Sequence, residues 1–186
     1  DRKYLNPKGA RSLSDVIGSY TYFANGDVLL AKITPCFENG KLGIARDLIN
    51  GIGFGSSEYF VIRPSDELSA DFLYYFLLQP SFRENATKSM TGAVGHKRVA
   101  KEFLESLLLP IPPLPEQRRI VDLLSRAEGI VRLRREAEKK AAELIPALFL
   151  DMFGDPGRNP KGWPVATLGR HVKIPSTVRT PNLSTE

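Results

Sequence analysis

The sequence predicts an α+β fold, in which a small curved sheet with short helices is followed by one long, coiled-coil-like α-helix. Short apolar runs in the first third of the chain are separated by turn dipeptides such as Asn25-Gly26 and Asn39-Gly40, a pattern typical of short strands. An apolar heptad repeat then begins at Ile120 and lasts four heptads. A helix with such a repeat is too long to bury its apolar face inside a small domain, which predicts packing along another helix.

The predicted strands are short and are joined by glycine-rich turns. This combination indicates a small and strongly curved sheet. The strand-like runs are Tyr20–Phe23, Val28–Ile33, Gly43–Ala45, Ile52–Phe54 and Tyr59–Ile62.

Two helices are predicted after the strands. The first covers Ser69–Leu78, because Ser69 suits an N-cap and the apolar residues repeat with helical spacing. Pro80 should end this helix, and Ser81 should cap a second one.

The rest of this first domain, residues 1–114, is predicted to be less regular. Thr91–Lys97 reads as a flexible loop, and Val99–Leu104 as one or two helical turns. Leu107–Ile111 reads as a buried strand that stops at the following prolines.

The long helix is predicted over residues 115–153. Pro115 suits its first turn, and Pro146 should kink its last turns. At 1.5 Å per residue its length is roughly 55–60 Å. The helix could lie across its own domain, but a dimerising or spacing role fits the repeat better. The a and d residues that would form the contact, here called the heptad seam, are Ile120, Leu123, Ala127, Ile130, Ala137, Ala141, Leu144 and Leu148.

Residues 154–186 are predicted to be a linker and the start of another domain. Gly154–Gly162 has the composition of a Gly/Pro linker, and Trp163–Ile174 has a strand-like apolar pattern. The last dozen residues are polar, and we expect them to be mobile.

Composition excludes several classes of protein. Cys36 is the single cysteine, which rules out an internal disulfide and a cysteine-cage metal site. No run approaches the roughly 20 apolar residues that span a membrane, and no signal-peptide pattern opens the chain. We therefore expect a cytoplasmic protein without a membrane partner. The net charge of +5 permits a nucleic-acid partner but does not identify one.

The sequence offers little support for catalysis or metal binding. It contains no phosphate-binding glycine motif, zinc motif or nucleophile elbow. His96 and His171 have no metal-ligand spacing, and Cys36 has no nearby histidine. We predict no catalytic residue, no metal ligand and no cofactor bound by this chain.

Polar and basic loop residues are the better candidates for function. Lysine and arginine are the usual contacts to phosphate and guanine, while Asn, Ser and Thr provide adaptable hydrogen bonds. The same residues also decorate ordinary soluble surfaces, so composition leaves both interpretations open. The candidate DNA-binding residues are Lys32, Thr34, Asn39, Lys41, Ser56, Ser57, His96, Lys97 and Arg98.

Several stretches resemble the specificity subunits of type I restriction–modification enzymes. LLLPIPPLPEQRRIV at Leu107–Val121 resembles the junction between a target-recognition domain and the conserved helix of that family. Gly26–Pro35, Ser56–Pro64 and Phe72–Val99 are similar to the body of the domain, in the same order. LFLDMFGDP and GWPVATLGRHVKI, which follow, are similar to the end of the helix and the opening strand of a second recognition domain.

The resemblance implies a role that composition alone cannot give. Subunits of this family hold two recognition domains apart with two antiparallel helices, and each domain reads half of a split DNA site. The subunit does no chemistry. Methyltransferase subunits make N6-methyladenine, and restriction subunits translocate and cut DNA. S-adenosylmethionine, ATP and Mg would therefore be bound by the partners.

The sequence departs from the family pattern because it holds one recognition domain and one helix. The opening strand is absent before Asp1, whereas a similar pattern occurs at Trp163–Ile174. The chain could be a half-subunit, a permuted form or a truncated remnant. In each case we expect a homodimer to cover the seam. Val165–Val172 would pair as a strand with a recognition-domain sheet, either within the same chain or across the dimer, and the short reach of Gly154–Gly162 favours the dimer. The alternative function is a helical scaffold that no longer reads DNA.

Overall fold

The structure, a computed structural model, describes residues 3–5, 9–93 and 95–173. The chain divides into two compact units, Asp1–Ile130 and Val131–Glu186. The division falls within the long helix, and each unit is described separately below.

The strands of the first unit divide between two small antiparallel sheets. Strand β1 pairs with β4, and β2 lies between β3 and β5. The five strands predicted between Tyr20 and Ile62 are confirmed, with ends that shift by a residue or two. Their bounds are β1 Thr21–Ala24, β2 Val28–Ala31, β3 Leu42–Ile44, β4 Ile52–Gly55 and β5 Tyr59–Ile62.

The α-helices after residue 69 agree with the sequence pattern except at one proline, whereas the short helix Leu13–Val16 was not predicted. Pro80 begins the second predicted helix instead of merely ending the first, because a proline at the first helical position loses no hydrogen bond. Gln79 therefore occupies the N-cap that was predicted for Ser81, whereas Ser69 stands at the N-cap of the first helix as predicted. The helices are α1 Leu13–Val16, α2 Ala70–Leu77, α3 Pro80–Lys88, α4 Lys101–Glu105 and α5 Leu114–Phe153, with 3-10 turns at Ile49–Gly51 and Leu168–Arg170.

The main core lies between the central sheet and helices α2 and α3. Val28 and Leu30 of β2 are buried with Leu73 of α2. The rings of Phe37 and Phe82 meet edge to face, with their centroids 6.1 Å apart. The core therefore fixes β2 and the turn that follows it, which contains Phe37, against α2 and α3.

The predicted strand at Leu107–Ile111 is wrong. Leu107 and Leu109 pack against the main core, but Leu108 between them is 91% exposed. Within the described ranges this segment pairs with no strand, so the apolar run here belongs to an extended chain lying on the core.

Helix α5 begins by docking onto its own domain. Gln117 is fully buried, and Val121 packs against the main core. One turn further, the Tyr75 hydroxyl is hydrogen-bonded to Ser125 Oγ at 3.0 Å and donates to Glu128 Oε2 at 2.9 Å. The helix bounds confirm the prediction of 115–153, and the helix continues through Pro146.

The Gly/Pro segment after α5 is folded, which corrects its interpretation as a simple linker. Gly154 (φ +89°) donates to Leu150 O, and the Lys161 ammonium donates to the carbonyls of Asp151 and Met152. These bonds satisfy carbonyls that a helix end leaves unpaired.

Trp163 completes this C-terminal cap. Its ring stacks on Phe153 with centroids 6.2 Å apart, and its Nε1 donates to Phe153 O at 3.0 Å. Asn159 and Trp163 also exchange two hydrogen bonds, of 2.8 and 2.9 Å. In this conformation the segment is therefore folded back against the end of α5 and is not extended.

The strand predicted within Trp163–Ile174 does not form in the single chain. Residues 163–173 contain the 3-10 turn at Leu168–Arg170 and no strand, and Val165 is exposed. A strand needs a hydrogen-bonded neighbour, which these residues lack within the described chain, so pairing with a partner stays a prediction. Ile174 and the polar C-terminal residues lie outside the described residues.

None of the helices that the structure describes is both long enough and apolar enough to span a membrane.

Candidate nucleic-acid interface

Three loop segments of the first unit lie side by side. Lys32 N donates to Glu58 O at 3.0 Å, which joins the end of β2 to the turn before β5. Lys32 O accepts from Val99 N at 2.9 Å, and Thr34 N donates to Lys97 O at 3.0 Å. We call the described residues 32–34, 56–58, 91–93 and 95–98 the three-loop surface.

The loop predicted to be flexible is closed at its base. Thr91 and Arg98 exchange backbone hydrogen bonds of 3.0 and 2.8 Å. Gly92 has a φ of +121°, and a Cβ at this position would approach His96 O to 2.9 Å, so a side chain does not fit here. Val94 lies outside the described residues. The ends of the loop are therefore held firmly against the end of β2.

An ion pair occupies the middle of the three-loop surface. Arg98 donates from Nε and Nη2 to the two carboxylate oxygens of Glu58, at 3.0 and 2.7 Å. Hydrogen bonding from Arg98 lowers the pKa of Glu58, and the charges of Lys32 and His96 lower the same pKa further. The same hydrogen bond raises the pKa of Arg98. Positive groups from two chain segments thus converge on one carboxylate.

Seven of the predicted DNA-binding residues are brought together on this surface: Lys32, Thr34, Ser56, Ser57, His96, Lys97 and Arg98. Lys32 Nζ lies 5.5 Å from the centre of the Phe60 ring. Thr34 Oγ1 is buried and has no hydrogen-bond partner among the described residues, so in this conformation it does not face solvent.

The other two candidates lie in the adjoining turn. Asn39 N donates to Pro35 O, and Lys41 O accepts from Ala31 N, so both belong to the connection between β2 and β3. Both are exposed. The turn begins directly after Thr34, which places it next to the three-loop surface along the chain.

Glu58 is the site residue that sequence reasoning missed. It is 40 positions from Arg98 and has no local spacing that pairs the two. Only the pairing of the 91–98 loop with the end of β2 brings them together. A charged residue in a turn between two short strands was the available signal, and it is not specific.

The heptad seam is the second candidate surface. Successive helical residues are rotated by about 100°, so Gln117, Val121 and Ser125 share the docked face of α5. Within the first unit, Leu123 and Ile130 lie on a different face and are 52% and 68% exposed. Ile120 is partly buried. The remaining seam residues, Ala127, Ala137, Ala141, Leu144 and Leu148, are exposed.

The described part of the chain contains no candidate metal site. No group of three or more His, Cys, Asp or Glu side chains there could hold a metal ion. Cys36 is a free, half-exposed thiol.

Comparison with known families assigns the chain. A model of the type I restriction modification DNA specificity domain matches residues 2–143. The chain belongs to this family. Its residues 2–143 include the three-loop surface and most of the long helix.

Individual relatives agree with this assignment. The chain is 48% identical over 108 residues to the EcoAI specificity subunit of Escherichia coli. The matched residues cover 58% of this chain and 18% of that protein. It is 26% identical over 181 residues to the MjaIX specificity subunit of Methanocaldococcus jannaschii, covering 88% of this chain and 39% of that protein. The chain thus spans between about a fifth and two fifths of these curated relatives.

A solved structure supports the fold. That structure concerns complex assembly and conformational transition of the type I R-M system. The match has a TM-score of 0.54 and 25% identity, and covers 69% of this chain and 29% of that one.

Proposed function

We propose that the chain recognises a specific sequence of duplex DNA for a type I restriction–modification enzyme. The supporting observation is the family match over residues 2–143, which contains the basic three-loop surface. Recognition would direct adenine N6-methylation and ATP-dependent DNA cleavage by partner subunits. The chain would do no chemistry itself, and S-adenosylmethionine, ATP and Mg would be bound by the methyltransferase and restriction subunits.

The residues of the surface suit different parts of that task. Lys32, Lys97 and Arg98 can neutralise phosphates, which provides affinity that is independent of sequence. The hydroxyls of Ser56 and Ser57 lie in an exposed turn of the same surface and can reach base edges or phosphates. Short polar side chains on closed loops are suited to fix the register of the protein on DNA.

We propose further that the chain works as a homodimer through the heptad seam. The supporting observation is that α5 docks on its domain through the face of Gln117 and Val121, which leaves Leu123 and Ile130 exposed. An exposed row of apolar residues at heptad spacing is stabilised when a second helix covers it. A dimer would also place two recognition surfaces in one assembly.

Selection from random duplexes tests DNA recognition. The chain is mixed with the methyltransferase subunit of a type I system, and bound duplexes are recovered and sequenced. We expect one enriched sequence, bound with an affinity that falls steeply with salt. A helical scaffold that no longer reads DNA would show neither enrichment nor a steep salt dependence, and this result would contradict the proposal.

Paired substitutions then locate the interface. Lys97→Ala together with Arg98→Ala should weaken binding and reduce the salt slope by about one unit for each phosphate that the protein no longer neutralises. Lys139→Ala together with Lys140→Ala removes the same charge from the exposed helix and serves as the control. Unchanged affinity in the first variant would place the 91–98 loop away from DNA.

A further inference from the structure

The ion pair with Glu58 leaves Arg98 with a defined set of remaining donors. A guanidinium carries five N–H groups in a rigid plane. Glu58 accepts from Nε and from Nη2, and His96 O accepts from Nη1 at 3.1 Å. Within the described chain, one N–H on Nη1 and one on Nη2 have no partner. Two donors on adjacent nitrogens therefore remain for a ligand.

The position of this guanidinium is fixed from both sides. The backbone of Arg98 is hydrogen-bonded to Thr91 through both its N–H and its carbonyl. The backbone of Glu58 is bonded to Lys32, whose carbonyl in turn accepts from Val99. The Arg98 side chain is nonetheless 45% exposed, so an external ligand can reach it.

Stability alone does not explain a carboxylate at this position. An exposed ion pair contributes little to folding, because water screens the two charges. Glu58 also places a negative charge beside Lys32, His96 and Arg98, where it weakens the attraction of the surface for phosphate. A geometric role accounts for its presence, because a bidentate carboxylate prevents the long arginine side chain from sampling other rotamers.

We propose that Glu58 is a positioning residue that presents Arg98 to two adjacent acceptors on duplex DNA. This inference rests on the proposed function of the chain. The acceptors share one chemistry, a pair of oxygen or nitrogen atoms spaced for a guanidinium. Two oxygens of one phosphate meet this requirement, and so do O6 and N7 of a guanine.

Substitution of Glu58 tests the positioning role. Binding of the selected duplex by the chain, in the same preparation, is measured for Glu58→Gln and Glu58→Asp. Gln removes the charge, whereas Asp keeps the charge but shortens the reach. We expect both to weaken binding about three- to tenfold, because in both Arg98 loses its fixed orientation. A carboxylate that only repels DNA would give tighter binding with Gln and unchanged binding with Asp, and this result would overturn the proposal.

The chain provides a matched control for this substitution. Glu116 forms a bidentate pair of the same geometry with Arg119 in the first turn of α5, with distances of 2.9 and 2.7 Å. Glu116→Gln changes the net charge by the same amount and should leave DNA affinity within about twofold of the unmodified chain. If it weakens binding as much as Glu58→Gln, the effect does not come from the orientation of Arg98 and the proposal fails.

Substitution of Arg98 identifies the acceptors. Arg98→Lys keeps the charge but removes the planar pair of donors, so we expect affinity to fall about tenfold, nearly as much as with Arg98→Ala. A loss of affinity confined to the selected duplex would identify a guanine, whereas an equal loss on an unrelated duplex would identify a phosphate. Binding by Arg98→Lys equal to that of the unmodified chain would overturn the proposal.

The proposed function and the role of Glu58 fail in different ways. If the unmodified chain enriches no sequence and shows no steep salt dependence, the proposed function fails, and the role of Glu58 fails with it. If the unmodified chain binds its selected duplex and the Glu58 variants bind equally well, the proposed function stands and only the positioning role is wrong.

Discussion

Gln117 Oε1 accepts a hydrogen bond from Ser69 N at 2.8 Å, which ties the first turn of α5 to the start of α2. The amide nitrogen of the same side chain donates to Glu67 O and Pro112 O, each at 2.8 Å. Every polar atom of this fully buried side chain is therefore used. The contact fixes the first turn of α5 within the first unit.

Gln117→Leu should destabilise the first unit strongly. The substitution keeps the volume but leaves one donor and two acceptors of the backbone without a partner, at a cost of about 1–3 kcal/mol for each buried group. We expect the free energy of unfolding to fall by more than about 3 kcal/mol in urea titrations followed by circular dichroism. Arg118→Ala, at the exposed neighbouring position, is the control and should change it by less than about 0.5 kcal/mol.

Asp27→Asn should remove a contribution to stability that depends on pH. Asp27 is 1% exposed, and burial alone would raise its pKa, but hydrogen bonds from Arg63 and from Ala24 N outweigh burial and lower it below 3.8. A lowered folded-state pKa means that the contribution is present above the unfolded pKa and is lost as pH falls through the folded one.

The measurement compares unfolding of the two proteins at pH 7 and near pH 3. At pH 7 we expect Asp27→Asn to be less stable by about 1–3 kcal/mol, and the difference should shrink in acid. Asp122→Asn removes the carboxylate of an exposed i,i+4 pair with Arg126 and should have little effect at either pH. A difference between Asp27→Asn and the unmodified protein that is constant with pH would contradict the assignment.

Leu123→Asp together with Ile130→Asp should convert dimers into monomers. Both residues are exposed on the seam, and a carboxylate buried between two helices would lose its hydration without gaining a partner. Sedimentation should then give half the mass. The control is Arg132→Asp together with Lys139→Asp, at heptad positions that face away from the seam. A protein that is monomeric before any substitution would exclude the dimer.

Lys161→Ala should loosen the last turn of α5. The ammonium of Lys161 is bonded to the carbonyls of Asp151 and Met152, where a positive charge also stabilises the negative end of the helix. We expect a local loss of about 0.3–1 kcal/mol, seen as faster hydrogen exchange of the amides near Phe153. Lys173→Ala removes an exposed charge nearby in sequence and should leave those rates unchanged.

Periodicity and turn residues predicted the elements of this chain. Runs such as Val28–Ile33 and Tyr59–Ile62 indicated β2 and β5, because a short apolar run and the turn residues that bound it lie within a few positions of one another. The same local reasoning placed α5 within a residue of its observed start. It failed at Leu107–Ile111, where apolar residues contact the core without a neighbouring strand, because strand pairing is not a local property.

The sequence by itself determined the five paired strands, helices α2 to α5, the heptad seam and the family resemblance, since each depends on residues close together in the chain. Tertiary structure alone decided which distant residues meet. Glu58 binds Arg98 and Gln117 binds Ser69 across 40 and 48 positions. Lys161 and Trp163 turn back to cap the helix that precedes them. Such contacts arise when burial of the core fixes the loops relative to one another. No local pattern of residue types predicts which distant residues then meet.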